Sequence, residues 1–170
     1  MANRTTHADR IGNPGAVIRR GRDLRVEMVN LIWGLEPAWP QERPFEAVRA
    51  EGRTFPTNRC LVPASEFFHT RRGQRYRFTR VDGDWFYLAG IWRPARPRWS
   101  SAYATLTIDS NDDVRAYAER QMVVVHRDRR MDWLDALVPE TEILRALPTG
   151  TFKAELWDDD ALAAQPALAL

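Results

Sequence analysis

The sequence contains one cysteine, one lysine and no long hydrophobic run. The single cysteine, Cys60, excludes an intramolecular disulfide framework and a zinc site built on paired cysteines. No stretch of about 18 apolar residues occurs, and segment 1–10 is polar, so we expect neither a membrane span nor a signal peptide but a cytoplasmic protein. The sequence motifs of P-loop nucleotidases, zinc proteases and α/β-hydrolases are missing as well.

The histidines also lack the spacing of a metal site. His7, His69 and His126 are far apart in the sequence, whereas zinc sites usually group their ligands in short motifs. We therefore expect no metal and no cofactor. We expect Cys60 to be a buried structural residue and not a nucleophile, because it lies within the apolar segment 59–62.

Charge is distributed unevenly along the chain. Residues 1–100 hold 18 arginines and 10 acidic residues, whereas residues 101–170 hold 7 basic and 13 acidic residues, for a formal net charge of +2. This asymmetry favours a polarised surface and an anionic partner such as nucleic acid. The alternative is that the use of arginine in place of lysine reflects codon bias and that the asymmetry is incidental.

Apolar residues at a period of two predict a fold rich in strands. They predict a β-hairpin over 16–33 and a strand over 74–80. Asp82 and Gly83 form a turn signal, so we expect the strand over 74–80 to continue as a hairpin into 85–88.

Helical spacing appears only late in the chain, over 128–137 and 139–147. Strands separated by turns, followed by short helices, favour one α+β domain. With 170 residues, the chain has the size of a single domain. We expect a flexible arm over 1–14, the domain over 15–157 and a frayed tail over 158–170.

Several short motifs occur in an order that is more specific than any one of them. They are Trp-Gly-Leu-Glu-Pro-Ala-Trp at 33–39, Ala-Val-Arg-Ala-Glu at 47–51, Arg-Cys-Leu-Val-Pro-Ala-Ser at 59–65, Ala-Gly-Ile-Trp-Arg at 89–93 and Arg-Gln-Met-Val-Val-Val at 120–125. In this order and spacing the chain resembles the SOS response-associated peptidase (SRAP) family, the abasic-site-processing proteins. The resemblance implies a mostly antiparallel, curled β-sheet with flanking short helices.

The resemblance also implies a chemistry for the DNA damage response. Family members trap the aldehyde of an abasic site in single-stranded DNA as a thiazolidine, using the amine and thiol of an N-terminal cysteine. A glutamate and a histidine transfer protons, and an asparagine orients the reacting groups. The positions of this chain that match them are Ala2 for the cysteine, Ala47 for the asparagine, His69 for the glutamate and Ala118 for the histidine. We therefore expect the DNA–protein cross-link to be lost, which leaves open whether the chain is an enzyme or a pseudoenzyme.

The DNA-binding positions of the family are better preserved. Arg4, Trp39, Arg49 and Thr107 match family residues, and the basic residues Arg59, Arg75 and Arg77 lie nearby in the sequence. The expected partner is single-stranded or abasic DNA, with arginines on phosphates and Trp39 stacked on a base. The alternative is that these arginines form a solvated face and that Trp39 belongs to the core.

Two further functions remain open from the sequence. In the first, removal of Met1 exposes the α-amine of Ala2, which forms a Schiff base with an abasic aldehyde. His69 then serves as the acid–base group of a lyase. In the second, the chain is a protein-interaction module whose acidic part faces a basic partner. That acidic part comprises Asp109, Asp112, Asp113 and residues 158–160.

Overall fold

The computed structural model describes residues 11–158 and confirms the α+β fold class. Its strands are β1 (Pro14–Arg20), β2 (Val26–Trp33), β3 (Ala47–Arg49), β4 (Arg59–Ala64), β5 (Phe67–Arg71), β6 (Gln74–Arg80), β7 (Phe86–Arg93), β8 (Ala102–Asp109), β9 (Arg120–Met122), β10 (Val124–Val125) and β11 (Phe152–Trp157). Its helices are α1 (Asp112–Arg115), α2 (Arg130–Leu134) and α3 (Glu140–Ile143), and a 3₁₀ turn over Arg127–Arg129 leads into α2.

The main sheet closes on itself. The predicted hairpin is confirmed as β1 and β2, which pair antiparallel over their full lengths. β1 also pairs with β4, β4 with β7, β7 with β8, and β8 runs parallel to β2. These five strands therefore form a ring, which removes the free edges that an open sheet exposes.

Closure of the ring depends on a close approach at Gly90, in the middle of β7. Gly90 lies opposite Thr105 of β8 and Cys60 of β4. A Cβ atom at this position would lie 2.9 Å from the carbonyl oxygen of Ala104 and 3.0 Å from the Sγ of Cys60. Only glycine lets the backbones approach this closely without a shift.

Beyond Gly90, β7 and β8 diverge and take different partners. The first half of β7 pairs with β10. The second half of β8 pairs with β9 on one side and runs parallel to β3 on the other. β3 and β9 thus lie on either side of β8, next to Thr107.

The predicted hairpin between residues 74–80 and 85–88 is wrong. β6 pairs with β5 and β11 in a separate three-stranded sheet, and β7 joins the main sheet instead. The physical reason is burial: the five residues from Phe86 to Gly90 are all buried. Such a strand needs partners on both edges and cover on both faces, and β4, β8 and β10 provide those partners.

One core cluster fills the space between the two sheets. Its aromatic residues include Phe67, Phe78, Phe86 and Phe152, all 5% exposed or less. A second cluster lies against α2, where the fully buried Trp133 donates its indole N–H to the carbonyl of Cys60 at 3.0 Å. The predicted helix over 128–137 is shorter in the structure, because Ala136 has a positive φ of 53° and Leu137 is exposed.

We predict that Gly90→Ala destabilises the fold by about 1–3 kcal/mol, because the added methyl group overpacks the closed ring. Urea denaturation followed by tryptophan fluorescence measures the change in stability. In a Cys60→Ala background the added methyl group no longer meets Sγ and meets only the Ala104 oxygen. Gly90→Ala is therefore expected to destabilise the Cys60→Ala protein less than it destabilises the unmodified chain, but still measurably. A Gly90→Ala protein as stable as the unmodified chain would contradict this account of ring closure.

Candidate functional site

Three of the four residues that the resemblance matches to catalytic positions of the family come together in one pocket. Ala47 reaches it from β3, His69 from β5 and Ala118 from the segment before β9, and Thr107 of β8 lies with them. The parallel pairing of β3 with β8 aligns Ala47 with Thr105, two residues from Thr107. We call this cavity of about 620 Å³ the alanine pocket; Trp33, Glu46, Phe68, Thr70, Glu119, Arg120 and Met122 complete its lining.

His69 is the residue in the alanine pocket best suited to proton transfer. Its ring lies edge-on to Phe67 and Phe78, at centroid distances of 5.7 and 5.6 Å. Burial lowers the pKa of His69, because an apolar environment disfavours the imidazolium. Its Nε2 atom is buried and makes no hydrogen bond within residues 11–158. A neutral imidazole of this kind can accept or donate one hydrogen bond to a ligand.

Arg120 and Glu51 hold one wall of the alanine pocket in place. The guanidinium of Arg120 donates to both carboxylate oxygens of Glu51, at 2.9 and 2.7 Å, and to the Thr107 carbonyl at 2.6 Å. It also pairs with Asp109 at 2.7 Å. The hydrogen bonds from Arg120 lower the pKa of Glu51 to about 2. Both residues belong to the sequence motifs, but their mutual contact spans 69 positions and was not predicted.

A second cavity lies on the other side of β3 and shares Ala47 with the first. We call this space of about 860 Å³ the basic cleft, because four arginines line it: Arg49, Arg53, Arg93 and Arg96. Glu36 is its only acidic lining residue among residues 11–158, and it lies 3.6 Å from Arg96. Sequence reasoning found Arg49 and missed the other three. The Arg-Pro-Ala-Arg-Pro-Arg segment at 93–98 was the available signal.

Trp39 lies on the surface and not in the core. Its side chain is 67% exposed, and it comes directly after Pro37 and Ala38, which line the basic cleft. Phe45, which lines the cleft, is 45% exposed. Arg49 is exposed as well and approaches Glu51 only to 4.0 Å.

Arg59 is a structural residue. It is 7% exposed and lies beneath α2, over the ring of Trp133. Its guanidinium donates to the Phe55 carbonyl at 2.7 Å, to the Trp133 carbonyl at 2.9 Å and to Glu140 at 2.6 Å. This placement argues against the predicted phosphate contact, because a side chain that left these partners would break its ion pair with Glu140, whose side chain is only 20% exposed.

Arg75 and Arg77 lie on β6, outside both cavities. Arg75 stacks over the ring of Phe68 at 4.0 Å. Arg77 pairs with Glu155 of β11 at 2.5 Å and lies over the ring of Trp157. Both are half-buried, so the predicted basic outer face of this strand is largely occupied by contacts within the protein.

The acidic residues after β8 also make internal contacts. Asp113 accepts hydrogen bonds from the backbone N–H groups of Gly150 and Phe152, which ties α1 to the start of β11. Asp109 pairs with Arg120, and Asp112 lies 3.9 Å from Arg115. The side chains of Asp109 and Asp112 are nevertheless 80% and 70% exposed, and residues 159 and 160 lie outside the described residues, so a basic protein partner stays a prediction.

Cys60 is fully buried, as predicted. Burial raises the pKa of its thiol far above the ordinary value, so the thiolate needed for nucleophilic chemistry does not form. Ala2 and Arg4 lie outside the described residues. Within residues 11–158, no group of three or more histidine, cysteine or acidic side chains is placed to hold a metal ion. None of the helices in that range has the length and apolar composition of a membrane span.

Comparison with known proteins places this geometry in a family. Residues 10–157 match the model of the SOS response associated peptidase (SRAP) family. A solved structure from Bordetella bronchiseptica is similar at a TM-score of 0.70 and 25% identity, over 86% of this chain and 85% of that chain. Among curated proteins, no sequence matches at a significant level.

Two other solved structures share the fold at lower identity. A protein from Bacteroides thetaiotaomicron has a TM-score of 0.64 and 21% identity, over 91% of this chain and 78% of that chain. A phage-related protein from Bordetella bronchiseptica has a TM-score of 0.66 and 22% identity, over 86% and 78%. At these identities the likeness concerns the fold.

We predict that Glu51 stabilises the fold most above pH 4.5 and that the effect disappears as the pH falls towards 2. The bound carboxylate has its pKa lowered to about 2 in the folded protein, so protonation removes the stabilisation between its unfolded and folded pKa values. The melting temperatures of the unmodified chain and Glu51→Gln, compared from pH 7 to pH 2, measure this. Glu42→Gln is the control, because Glu42 is exposed. A difference for Glu51→Gln that does not change with pH would contradict the prediction.

Proposed function

Because the chain belongs to the SOS response-associated peptidase family, we propose that it binds single-stranded DNA across the basic cleft and the alanine pocket without forming a cysteine-dependent cross-link. The observation that carries the proposal is the position of the basic cleft. It lies beside the pocket where three substituted family positions meet, and Ala47 belongs to both cavities. A strand that crosses β3 therefore contacts both.

The basic cleft has the charge that a DNA backbone requires. The guanidinium groups of Arg53 and Arg93 make no ion pair or hydrogen bond within residues 11–158, and Arg49 is 65% exposed. Guanidinium groups bind phosphate oxygens in pairs of parallel hydrogen bonds. Their binding to a strand releases counterions, which makes the affinity depend on salt.

Exposed aromatic side chains at the same rim supply the second requirement of single-strand binding. The indole of Trp39 and the ring of Phe45 are both open to solvent. Base–aromatic stacking contributes about 1–3 kcal/mol per base and tolerates any base. The combination of free arginines and exposed rings thus favours binding that depends little on sequence.

The chemistry of the cross-link is not available to the residues in the pocket. Ala47 and Ala118 carry methyl groups, which neither orient a reactant by hydrogen bonding nor transfer a proton. His69 is the one group of the three that does acid–base chemistry. The family's activity therefore survives in this chain as binding, with any residual reaction limited to what a histidine supports.

A Schiff-base lyase is the second candidate, and one observation favours it. The N–H of Gly12 donates to the carbonyl of Trp33 at 2.8 Å, and the N–H of Trp33 donates to the carbonyl of Asn13 at 2.9 Å. These bonds bring the start of the described chain to Trp33, which lines the alanine pocket. About ten residues separate Ala2 from this point, and they span at most about 36 Å when extended.

The lyase reaction needs only an amine and a base. The α-amine of Ala2, with a pKa of about 7.7–8.0, adds to the abasic aldehyde, and water leaves to give an imine. His69 then removes the proton next to the imine carbon, and the electron pair expels the 3′-phosphate, which breaks the strand.

We predict that a fluorescently labelled single strand binds at low salt and that Arg49→Glu and Arg93→Glu each weaken binding at least tenfold. Fluorescence anisotropy measures the affinity between 50 and 200 mM salt, where removing one arginine–phosphate interaction reduces the salt slope by about 0.7. Arg25→Glu is the matched control. It makes the same charge change at the turn of the β1–β2 hairpin, about 26 Å along β2 from Trp33. No binding at low salt, or an equal weakening by Arg25→Glu, would sink the proposal.

For the lyase we predict an adduct with abasic DNA that borohydride traps and that denaturing gels resolve. His69→Ala keeps the adduct and slows strand cleavage, because it removes the base and leaves the amine. His126→Ala leaves both unchanged, since His126 lies outside the pocket and pairs with Asp128. Intact strands and no adduct would exclude the lyase while leaving DNA binding untouched.

A further inference from the structure

The two cavities that share Ala47 differ sharply in charge. The basic cleft holds four arginines against Glu36. In the alanine pocket, the only arginine among the described residues is Arg120, and its charge is already matched by two carboxylates. Glu46 and Glu119 line the same pocket, both are exposed, and neither carboxylate has a partner within residues 11–158. The basic cleft thus attracts phosphate, whereas the alanine pocket repels it.

The alanine pocket has the size and lining of a site for a flat, uncharged group. Its volume of about 620 Å³ lies within the range of about 300–1,000 Å³ typical of small-molecule sites. Ala47 and Ala118 leave its interior open, and Trp33 and Phe68 contribute aromatic surface to its walls. Aromatic walls of this kind favour a planar ring.

Polar groups in the alanine pocket are arranged for hydrogen bonds to such a ring. The Nε2 atom of His69 is buried without a partner among the described residues. A ligand that reaches this atom supplies the hydrogen bond that it lacks. The free carboxylates of Glu46 and Glu119 only accept hydrogen bonds, so they favour a ligand that carries an amino group.

We infer that the alanine pocket takes an intact, amino-bearing nucleobase of the bound strand, while the neighbouring phosphates lie on the basic cleft. Adenine, cytosine and guanine carry an exocyclic amino group that a carboxylate can accept from, and thymine carries none. The base leaves its stack to enter the pocket, which costs little in a single strand. This inference rests on the proposed DNA binding and adds the chemical class of the group that the pocket recognises.

The test compares strands that differ at one central nucleotide. A strand of about nine nucleotides, within the size that single-strand-binding folds cover, carries thymines around a central adenine, cytosine, thymine or tetrahydrofuran abasic analogue. We expect adenine and cytosine to bind about tenfold more tightly than the abasic analogue and several-fold more tightly than thymine. Equal or tighter binding of the abasic analogue would overturn the inference and leave the proposed DNA binding intact. Failure of every strand to bind would overturn both.

Variants of the pocket lining separate recognition of the base from binding of the backbone. Ala118→Leu fills the pocket, so we expect the adenine strand to bind no more tightly than the abasic strand, whose own affinity stays unchanged. The double variant Glu46→Ala/Glu119→Ala removes both carboxylates and abolishes the preference for adenine and cytosine over thymine. Glu42→Ala, which removes an exposed carboxylate that lines neither cavity, keeps that preference. A preference that survives the double variant would contradict the role assigned to the carboxylates.

A measurement on the unmodified protein covers the case in which Ala118→Leu does not fold. A central 2-aminopurine, which is fluorescent and carries an amino group, loses fluorescence when it stacks on the aromatic walls. We expect quenching on binding at the central position. Unchanged fluorescence on binding, with quenching by added acrylamide as strong as in the free strand, would show the base in solvent and would overturn the inference.

Discussion

The pairing of β7 with β8 closes the main sheet, and the alanine pocket depends on the fact that this pairing covers only half of each strand. Residues 90–93 of β7 lie against residues 102–105 of β8, where Gly90 permits the close approach. Past that point the strands diverge, and the freed half of β8 takes β3 and β9 as partners. β3 forms a wall of both cavities, and the segment before β9 carries Ala118. A fully paired β7–β8 ladder would leave no place for β9 beside Thr107, whereas β3 lies on the opposite edge of β8, next to β2.

The same fold explains much of the asymmetry of charge along the chain. Within residues 11–158, ion pairs join arginines of the first 100 residues to carboxylates of the rest, as in Arg20 with Asp135, Arg59 with Glu140 and Arg77 with Glu155. Part of the basic excess is thus neutralised inside the molecule and says nothing about an external partner. Among the arginines before residue 100 that make no ion pair within residues 11–158, Arg53 and Arg93 line the basic cleft, whereas others such as Arg22 and Arg98 lie elsewhere. The location of the unpaired arginines, and not the net charge of the chain, is therefore what bears on nucleic-acid binding.

What the sequence could predict follows from the range of each interaction. The β1–β2 hairpin and the meeting of Ala47, His69 and Ala118 were predictable, because a local period of two and an ordered set of motifs carry them. The strand partner of β6 was not predictable. The turn signal at Asp82 is local and favours pairing of β6 with β7, whereas the burial of β7 on both faces decides which strands it pairs with. Arg59 was assigned to the surface because its ion-pair partner, Glu140, lies 81 positions away. A single sequence does not reveal such a contact.

His69 links the fold to the function of the pocket. Its ring is held by Phe67 and Phe78, in the core between the two sheets, so the position of Nε2 is fixed before any ligand arrives. The fold provides that atom with no hydrogen bond among the described residues, although buried polar atoms in proteins are nearly always paired. A ligand in the alanine pocket, which His69 lines, is one source of the missing partner. Arg120, Glu51 and Thr107 keep the shape of that space while the two alanines leave it open, so the pocket is suited to hold a group rather than to react with it.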